Sequence, residues 1–396
     1  MSEQTSTIPS KQSSPGAAKL PNNFILNAGT NQSAVQTPDE ITLNSSLDEI
    51  LLFARKLNAS DVHLSINYPI LVRQFQSFKT ISKELLTKDR IIALMQNSFD
   101  PAILSHFMEQ GGVEFVYAIN GGGRYRVTLM KTRAGLDLTA RIIPLSIYSF
   151  EETGMPVSCK GLTKWAQGLV LVAGPAGCGK TSTLASLVEM INQNRTDHII
   201  TIENPIEVIY APKKCQITQR EIGTHTLSQA SALKAALRED PDIIVISELR
   251  DLDTIRLAVT AAETGHLVFG TMNTLSASQT ISSLVDSFPP EEQSIVSVMI
   301  SESLRGIICQ QLIPAKDRAK MVPAYEVLMF NSAVSNMIRT GKIQNLPNII
   351  ATGKTDGMVL LDNYLKDLIS KSAIDPQEAY LRATHQKDFE QYLVKQ

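Results

Sequence analysis

The stretch from Gly168 to Thr181, GLVLVAGPAGCGKT, constrains the fold more than any other part of the chain. Its first six residues are almost wholly apolar, which is typical of a strand buried on both faces of a parallel sheet. The next eight fit the pattern G-x-x-x-x-G-K-[ST], whose glycines let backbone N–H groups face phosphate oxygens. The alternative is a chance glycine loop, which the strand before it and the helix after it disfavour.

Each residue type in such a loop has a chemical task. Lys180 would reach the β- and γ-phosphates of a nucleotide, and the Thr181 hydroxyl would hold Mg²⁺. The partial positive charge at the start of the following helix would point at the same phosphates. The predicted nucleotide-binding residues are Gly174, Pro175, Ala176, Gly177, Cys178, Gly179, Lys180, Thr181 and Ser182.

Strand-like and helix-like segments alternate after the phosphate loop. Two buried strand-like runs, 198–203 and 242–248, each end in a carboxylate. This alternation predicts a parallel sheet flanked by helices, with ligands at the carboxyl ends of the strands. Glu203, Glu248 and the phosphate loop are therefore expected at one edge. His266 begins its strand-like run, so the pattern alone does not place it there.

A smaller α+β domain is predicted before the phosphate loop. Its strand-like run 124–131 carries Arg124 and Arg126, which are two positions apart and share one strand face. Arg141 lies near the end of the next strand. On charge pattern alone, a solvated basic face is the favoured interpretation of these arginines.

Composition sets the other boundaries. Residues 1–42 are rich in Ser, Thr, Gln, Asn and Pro, and they are predicted to be a disordered tail. The N-terminal domain would then span 43–143, a linker 144–161, and the nucleotide-binding domain 162–385. The last part of that domain, beyond residue 290, is expected to be mostly helical. A short C-terminal tail, 386–396, would follow.

Charge and hydropathy exclude other classes of protein. A net charge of −2 argues against a nucleic-acid partner. The sequence has no apolar run of about 18 residues, so we expect no direct membrane insertion. The four cysteines have no C-x-x-C spacing, which disfavours a zinc knuckle and fits a reducing cytoplasm.

A nucleotide hydrolase also needs a metal ligand, a group that activates water, and positive charge near the transferred phosphate. Glu248 is predicted to serve the metal and the water, and Glu203 to act as general base. The plainer alternative is that each glutamate caps a helix or pairs with an arginine. Arg126 and Arg141 would supply the positive charge from a neighbouring subunit in a ring.

Four further motifs make the sequence similar to a known family. They occur in order as TIENPIE at 201–207, the segment 236–251 around Ser247 and Glu248, AAETGHLVFGT at 261–271, and AVSNMIR at 333–339. These resemble the Asp box, Walker B region, His box and AIRNLIR motif of type IV pilus retraction ATPases of the PilT/PilU type. The resemblance covers roughly residues 45–385.

The resemblance implies an α/β fold, with a RecA-like P-loop ATPase domain and a smaller N-terminal PAS-like domain. It also implies a homohexameric ring that hydrolyses ATP with Mg²⁺ and changes the angle between its two domains. This motion would turn an inner-membrane platform protein and withdraw pilin subunits. The location would be cytoplasmic, peripheral at the inner membrane, with a sister retraction ATPase as a further partner.

The resemblance also assigns roles to residues. Glu203 matches the catalytic glutamate of the family, Glu248 its Walker B glutamate, and His266 its first His-box histidine. Arg126 and Arg141 match its inter-subunit arginines, which reverses the preference for a plain basic face. With Lys180, these residues form the predicted catalytic set.

Three residues depart from the family pattern: Asn204 replaces Asp, Ser247 replaces Gly, and Asn273 replaces the second His-box histidine. Asparagine donates and accepts hydrogen bonds but does not carry charge. Two alternatives therefore stay open beside a working motor. One is an auxiliary, weakly or non-hydrolysing ring subunit that supports another retraction ATPase. The other is a related secretion or conjugation ATPase.

Overall fold

A computed structural model describes residues 38 and 40–393 of the chain, so the predicted disordered tail lies largely outside the described residues. The strands are β1 Asp61–Ser65, β2 Leu71–Gln74, β3 Ser77–Thr80, β4 Gly112–Ile119, β5 Gly123–Thr132, β6 Gly135–Ile142, β7 Gly168–Ala173, β8 His198–Glu203, β9 Gln216–Glu221, β10 Ile243–Ile246, β11 Leu267–Met272, β12 Leu304–Pro314 and β13 Met321–Met329.

The α-helices are α1 Leu47–Lys56, α2 Lys88–Ser98, α3 Pro101–Gln110, α4 Phe150–Thr153, α5 Lys180–Asn194, α6 Gln229–Ala236, α7 Leu252–Glu263, α8 Ala277–Asp286, α9 Pro290–Ser303, α10 Ser332–Arg339, α11 Leu346–Thr352, α12 Leu361–Ser370 and α13 Pro376–Arg382. Short 3₁₀ helices span Val157–Lys164, Ile343–Asn345, Gly353–Asp356 and Gln386–Tyr392. No helix in the described part of the chain is both long and apolar enough to cross a membrane.

The N-terminal part contains an antiparallel sheet in the order β3-β2-β1-β6-β5-β4. Helix α1 begins at a capping box, in which the Ser46 hydroxyl accepts from the Glu49 N–H and the Glu49 carboxylate accepts from the Ser46 N–H. Its apolar face joins a core with the buried sides of β1, β5 and β6. Alternating burial along β5 leaves Arg124 and Arg126 on the opposite face from buried Tyr125 and Val127.

The second sheet has the order β13-β12-β7-β11-β10-β8-β9 and is parallel except at β13. Strand β7 is buried along its whole length, and helices α5, α7 and α9 contact it. The predicted α/β fold with a parallel, helix-flanked sheet is confirmed. Strands β7, β10 and β8 point the same way, so their carboxyl ends meet at one edge.

The expectation that the chain is mostly helical beyond residue 290 is wrong between residues 304 and 329. Strand β12 pairs in parallel with β7, and β13 pairs in antiparallel with β12. The sequence of β12, LRGIICQQLIP, is largely apolar and buried. Periodicity does not distinguish such a buried strand from a buried helix, which explains the error.

Two segments predicted as linker and tail carry regular structure. In 144–161, α4 is anchored by Tyr325, whose hydroxyl donates to the Thr153 carbonyl at 2.7 Å. After residue 385, the 3₁₀ helix Gln386–Tyr392 buries Phe389 completely. Both segments therefore pack on the second domain.

Candidate nucleotide-binding site

The phosphate loop joins β7 to α5 at the carboxyl edge of the sheet. Gly174, Gly177 and Gly179 have φ values of +149°, +76° and +93°, which residues other than glycine rarely adopt. A Cβ at Gly174 would lie 2.3 Å from the Gln310 carbonyl oxygen. The loop is thus a tight turn that ends at the N-terminus of the 15-residue helix α5. This cradle suits the phosphates of a nucleotide.

The side chain of Gln310 on β12 holds this loop by hydrogen bonds. Its amide N–H donates to the Cys178 carbonyl at 2.7 Å, and its amide oxygen accepts from the Thr183 hydroxyl. The side chain is buried. Buried polar groups are nearly always hydrogen-bonded. A glutamine inside an apolar strand is therefore a sequence signal for such a supporting role. Gln310 belongs to none of the motifs, so it was not identified from the sequence.

Lys180 and Glu248 are joined by Asn273. The Lys180 ammonium donates to the Asn273 amide oxygen at 2.8 Å and to the carbonyls of Gly174 and Pro175 at 2.8 and 3.0 Å. The Asn273 amide N–H donates to the Glu248 carboxylate. Burial lowers the pKa of Lys180 from its ordinary value. The substituted residue therefore lies at the centre of the predicted site.

Glu248 also forms an ion pair with Arg250, at 2.8 Å between Oε1 and Nε. The plainer alternative from the sequence, that the glutamate pairs with an arginine, is therefore correct for this one contact of Glu248. The other contact, through Asn273, faces the phosphate loop. Among the described residues, no three His, Cys, Asp or Glu side chains are grouped to hold a metal.

Glu203 ends β8 and is 9% exposed. Its Oε1 accepts from the Thr201 hydroxyl at 2.6 Å and from the Gln219 amide at 2.9 Å. Burial raises the pKa of this carboxyl from 4.5 to about 7, because desolvation outweighs the two hydrogen bonds. A carboxyl with such a pKa is suited to accept a proton near neutral pH.

Arg126 of β5 contacts the segment that follows β8, whereas the ion pair of Arg141 of β6 lies within the N-terminal sheet. Arg126 pairs with Glu207 at 2.7 Å and with Glu114 at 3.0 Å. Arg141 is paired with Asp61 at 2.8 Å. Within one chain these arginines contact carboxylates, and among the described residues no hydrogen bond links them to the phosphate loop.

His266 does not join the other predicted catalytic residues within one chain. It precedes β11, and its carbonyl accepts from the N–H of Gly168, the first residue of β7. The phosphate loop follows the other end of β7, about 20 Å away for a six-residue strand. His266 therefore lies at the amino edge of the sheet, where its Nδ1 is 3.1 Å from the Ala261 carbonyl oxygen.

The fold and the site together define a P-loop nucleotide hydrolase. The profile of the type II/IV secretion system protein family matches residues 36–341, so the chain belongs to that family. The type IV pilus retraction ATPase PilT of Pseudomonas aeruginosa is 40% identical over 87% of this chain and 99% of its own length. The resemblance drawn from the four motifs is confirmed.

Two further comparisons agree with this result. The type IV pilus ATPase PilU of Pseudomonas aeruginosa is 30% identical over 86% of this chain and 89% of its own length. A crystal structure of the pilus retraction motor PilT with bound ADP superposes with a TM-score of 0.77 and 37% identity. That superposition covers 88% of this chain and all of the PilT chain.

Proposed function

We propose that this protein is an ATP-hydrolysing motor that drives type IV pilus retraction by disassembly of pilin, the activity that underlies twitching motility. The observation that carries the proposal is the meeting of the phosphate loop, Glu248 and Glu203 at one sheet edge. The retraction activity itself is taken from PilT, which matches this chain along almost its whole length.

In this proposal, residues 174–182 bind ATP. Thr181 and Glu248 would hold Mg²⁺, which would supply positive charge against the phosphates when bound. Lys180 stabilises the developing negative charge, and Glu203 takes the proton of the attacking water. His266 stays a predicted catalytic residue that would act between subunits, since its own phosphate loop is at the other edge.

The proposed working assembly is a homohexameric ring. Arg126 and Arg141 would supply positive charge to the nucleotide of a neighbouring subunit, as an arginine finger does in trans. The ring would act on an inner-membrane platform protein from the cytoplasmic side. A sister ATPase is a further proposed partner, because PilT and PilU of Pseudomonas aeruginosa both resemble this chain.

Asn273 favours a second candidate function, an auxiliary ring subunit with weak or no hydrolysis. This residue replaces the family histidine and contacts both Lys180 and Glu248. An auxiliary subunit would bind nucleotide normally and turn it over only with an active partner. Nucleotide binding alone therefore does not separate the two functions, and turnover does.

The deciding experiment is steady-state ATP hydrolysis by the purified protein beside Glu203→Gln and Asn273→His. Turnover that Glu203→Gln abolishes supports the autonomous motor. Binding of Mg-ADP without turnover, with activity gained in Asn273→His, supports the auxiliary subunit. Retraction is tested by gene deletion, alone and together with any sister ATPase gene. Unchanged retraction in both strains would exclude the pilus function.

A further inference from the structure

The segment that follows Glu203 is held on strand β9 by two side chains that point to the same side. Gln219 and Glu221 are two positions apart on β9 and therefore share a face. The Glu221 carboxylate accepts from the Ile206 N–H at 2.8 Å. The Gln219 amide oxygen accepts from the Tyr210 N–H at 3.0 Å, and its N–H₂ group donates to the Val208 carbonyl at 2.8 Å.

Gln219 also contacts Glu203. The same N–H₂ group that binds Val208 donates to the Glu203 Oε1 at 2.9 Å. The two amide protons and the amide oxygen are thus all engaged. One side chain connects the buried carboxyl to the segment 206–210.

The N-terminal sheet also contacts that segment, through Arg124. The Arg124 guanidinium of β5 donates to the carbonyls of Ile206 and Glu207 at 2.8 and 3.1 Å. Arg124 is half-buried in this contact. A change in the angle between the two domains would therefore pull on 206–210, and Gln219 is the side chain that links this segment to Glu203.

We propose that Gln219 is a positioning residue, which orients the Glu203 carboxyl toward the attacking water and ties that orientation to segment 206–210. The inference rests on the proposed function, because it needs Glu203 as the general base. Because both hydrogen bonds hold Oε1 of Glu203, its other carboxylate oxygen points in a fixed direction. Misplacement of a catalytic group by about 1 Å reduces turnover on the order of 100-fold.

Gln219 also affects the charge on Glu203. Its hydrogen bond favours the ionised carboxyl, as does the bond from Thr201, and burial opposes both. The other charged or titratable groups that act on Glu203 are Glu207, Glu221, Tyr210 and Arg124. Loss of the Gln219 amide protons should therefore raise the pKa of Glu203.

The test compares Gln219→Met and Gln219→Glu with Gln216→Met, a control on the exposed start of β9. Methionine removes all Gln219 hydrogen bonds at similar size, whereas glutamate keeps the acceptor for the Tyr210 N–H and loses both donors. We expect kcat to fall about tenfold to 100-fold in both Gln219 variants. The rising limb of kcat against pH should also move to higher pH, while Gln216→Met matches the wild type.

If Gln219 is needed only for folding, its variants should lower kcat without moving the rising limb of kcat against pH. This result would overturn the inference. Unchanged kcat and limb would overturn it too. A second readout does not depend on turnover. Each protein is compared with the same protein carrying Glu203→Gln, and the difference between their melting temperatures is followed against pH. This difference reports the titration midpoint of the Glu203 carboxyl. If the wild type lacks turnover, the proposed motor function fails and the positioning role fails with it. If the wild type turns over ATP but Gln219→Met leaves this midpoint unchanged, the positioning role alone is overturned.

Discussion

The Lys180 ammonium donates a hydrogen bond of 2.8 Å to the Asn273 amide oxygen, across 93 residues of sequence. The other end of the same amide donates to Glu248. Asn273 therefore connects Lys180, the predicted phosphate ligand, with Glu248, the predicted metal ligand. A neutral imidazole also has one acceptor and one donor nitrogen, so the substitution preserves the type of connection and removes the possibility of charge.

Asn273→Ala should lower kcat about tenfold, because Lys180 and Glu248 would each lose one hydrogen bond that fixes them near the phosphates. The affinity for Mg-ADP should change much less, since the backbone of the phosphate loop is untouched. Steady-state ATPase assays and fluorescence titration with labelled ADP measure the two effects. Asn363→Ala, at an exposed asparagine of α12, is the matched control. An unchanged kcat in Asn273→Ala would show that the connection has no catalytic role.

Glu203 makes stability depend on pH in a defined direction. Its pKa is about 7 in the folded chain, against an ordinary value of 4.5. Between these values the folded chain binds more protons than the unfolded chain, so this group lowers the free energy of unfolding as the pH rises. Glu203→Gln should therefore stabilise the protein at pH 8, by at most about 3 kcal/mol, and not at pH 4.

Denaturant unfolding at several pH values checks this prediction. The control is Glu84→Gln, because Glu84 is an exposed loop residue outside the site. A stability gain of the same size at pH 4 and pH 8 would contradict the raised pKa.

Gln310→Leu should destabilise the phosphate loop. The change keeps a side chain of similar size but leaves the Cys178 carbonyl and the Thr183 hydroxyl without their buried partner. Each loss costs about 1–3 kcal/mol, and the affinity for Mg-ADP should fall as the loop loosens. Gln311→Leu is the control, because residue 311 is the next on β12 and its side chain points to the other face. Equal melting temperatures and ADP affinities for the two variants would refute the supporting role.

The position of the site was predictable because parallel topology fixes where strands end. Glu203 and Glu248 follow buried apolar runs, and the glycine pattern marks the end of β7, so all three had to meet at one edge. His266 begins its run, and the same rule correctly left it away from that edge. Motif resemblance alone gave it a catalytic role, and a single chain does not bring it to its own phosphate loop.

The supporting residues were not predictable in the same way. Gln219 is 16 positions from Glu203, and Gln310 is 132 positions from Cys178. Such partners meet only through the strand order of the sheet, which places β9 beside β8 and β12 beside β7. Sequence periodicity contains no information on that order, so polar side chains of these strands had no assigned task. The domain boundaries and the PAS-like character of the first domain stay predictions.

The arginines provide the sharpest test of the ring. Within one chain Arg126 is held by Glu207 and Glu114, at the margin of the site and not on the phosphate loop. If Arg126 serves a neighbouring subunit, Arg126→Ala and Glu203→Gln damage different halves of a shared site. Each variant alone should lose most of its ATPase activity. In rings assembled from equal amounts of the two variants, ATPase activity should return at about a quarter of the interfaces. These are the interfaces where one subunit supplies an intact Glu203 and its neighbour an intact Arg126.

Mixed-ring ATPase assays measure this recovery after the two purified variants are dissociated and reassembled together. Recovery to about a quarter of the wild-type rate places Arg126 in trans. No recovery means that Arg126 acts in its own chain, through its ion pair with Glu207. Arg133→Ala changes an exposed arginine just beyond β5 and should keep full activity alone. Its mixture with Glu203→Gln should only show dilution, which separates shared-site recovery from nonspecific effects of mixing.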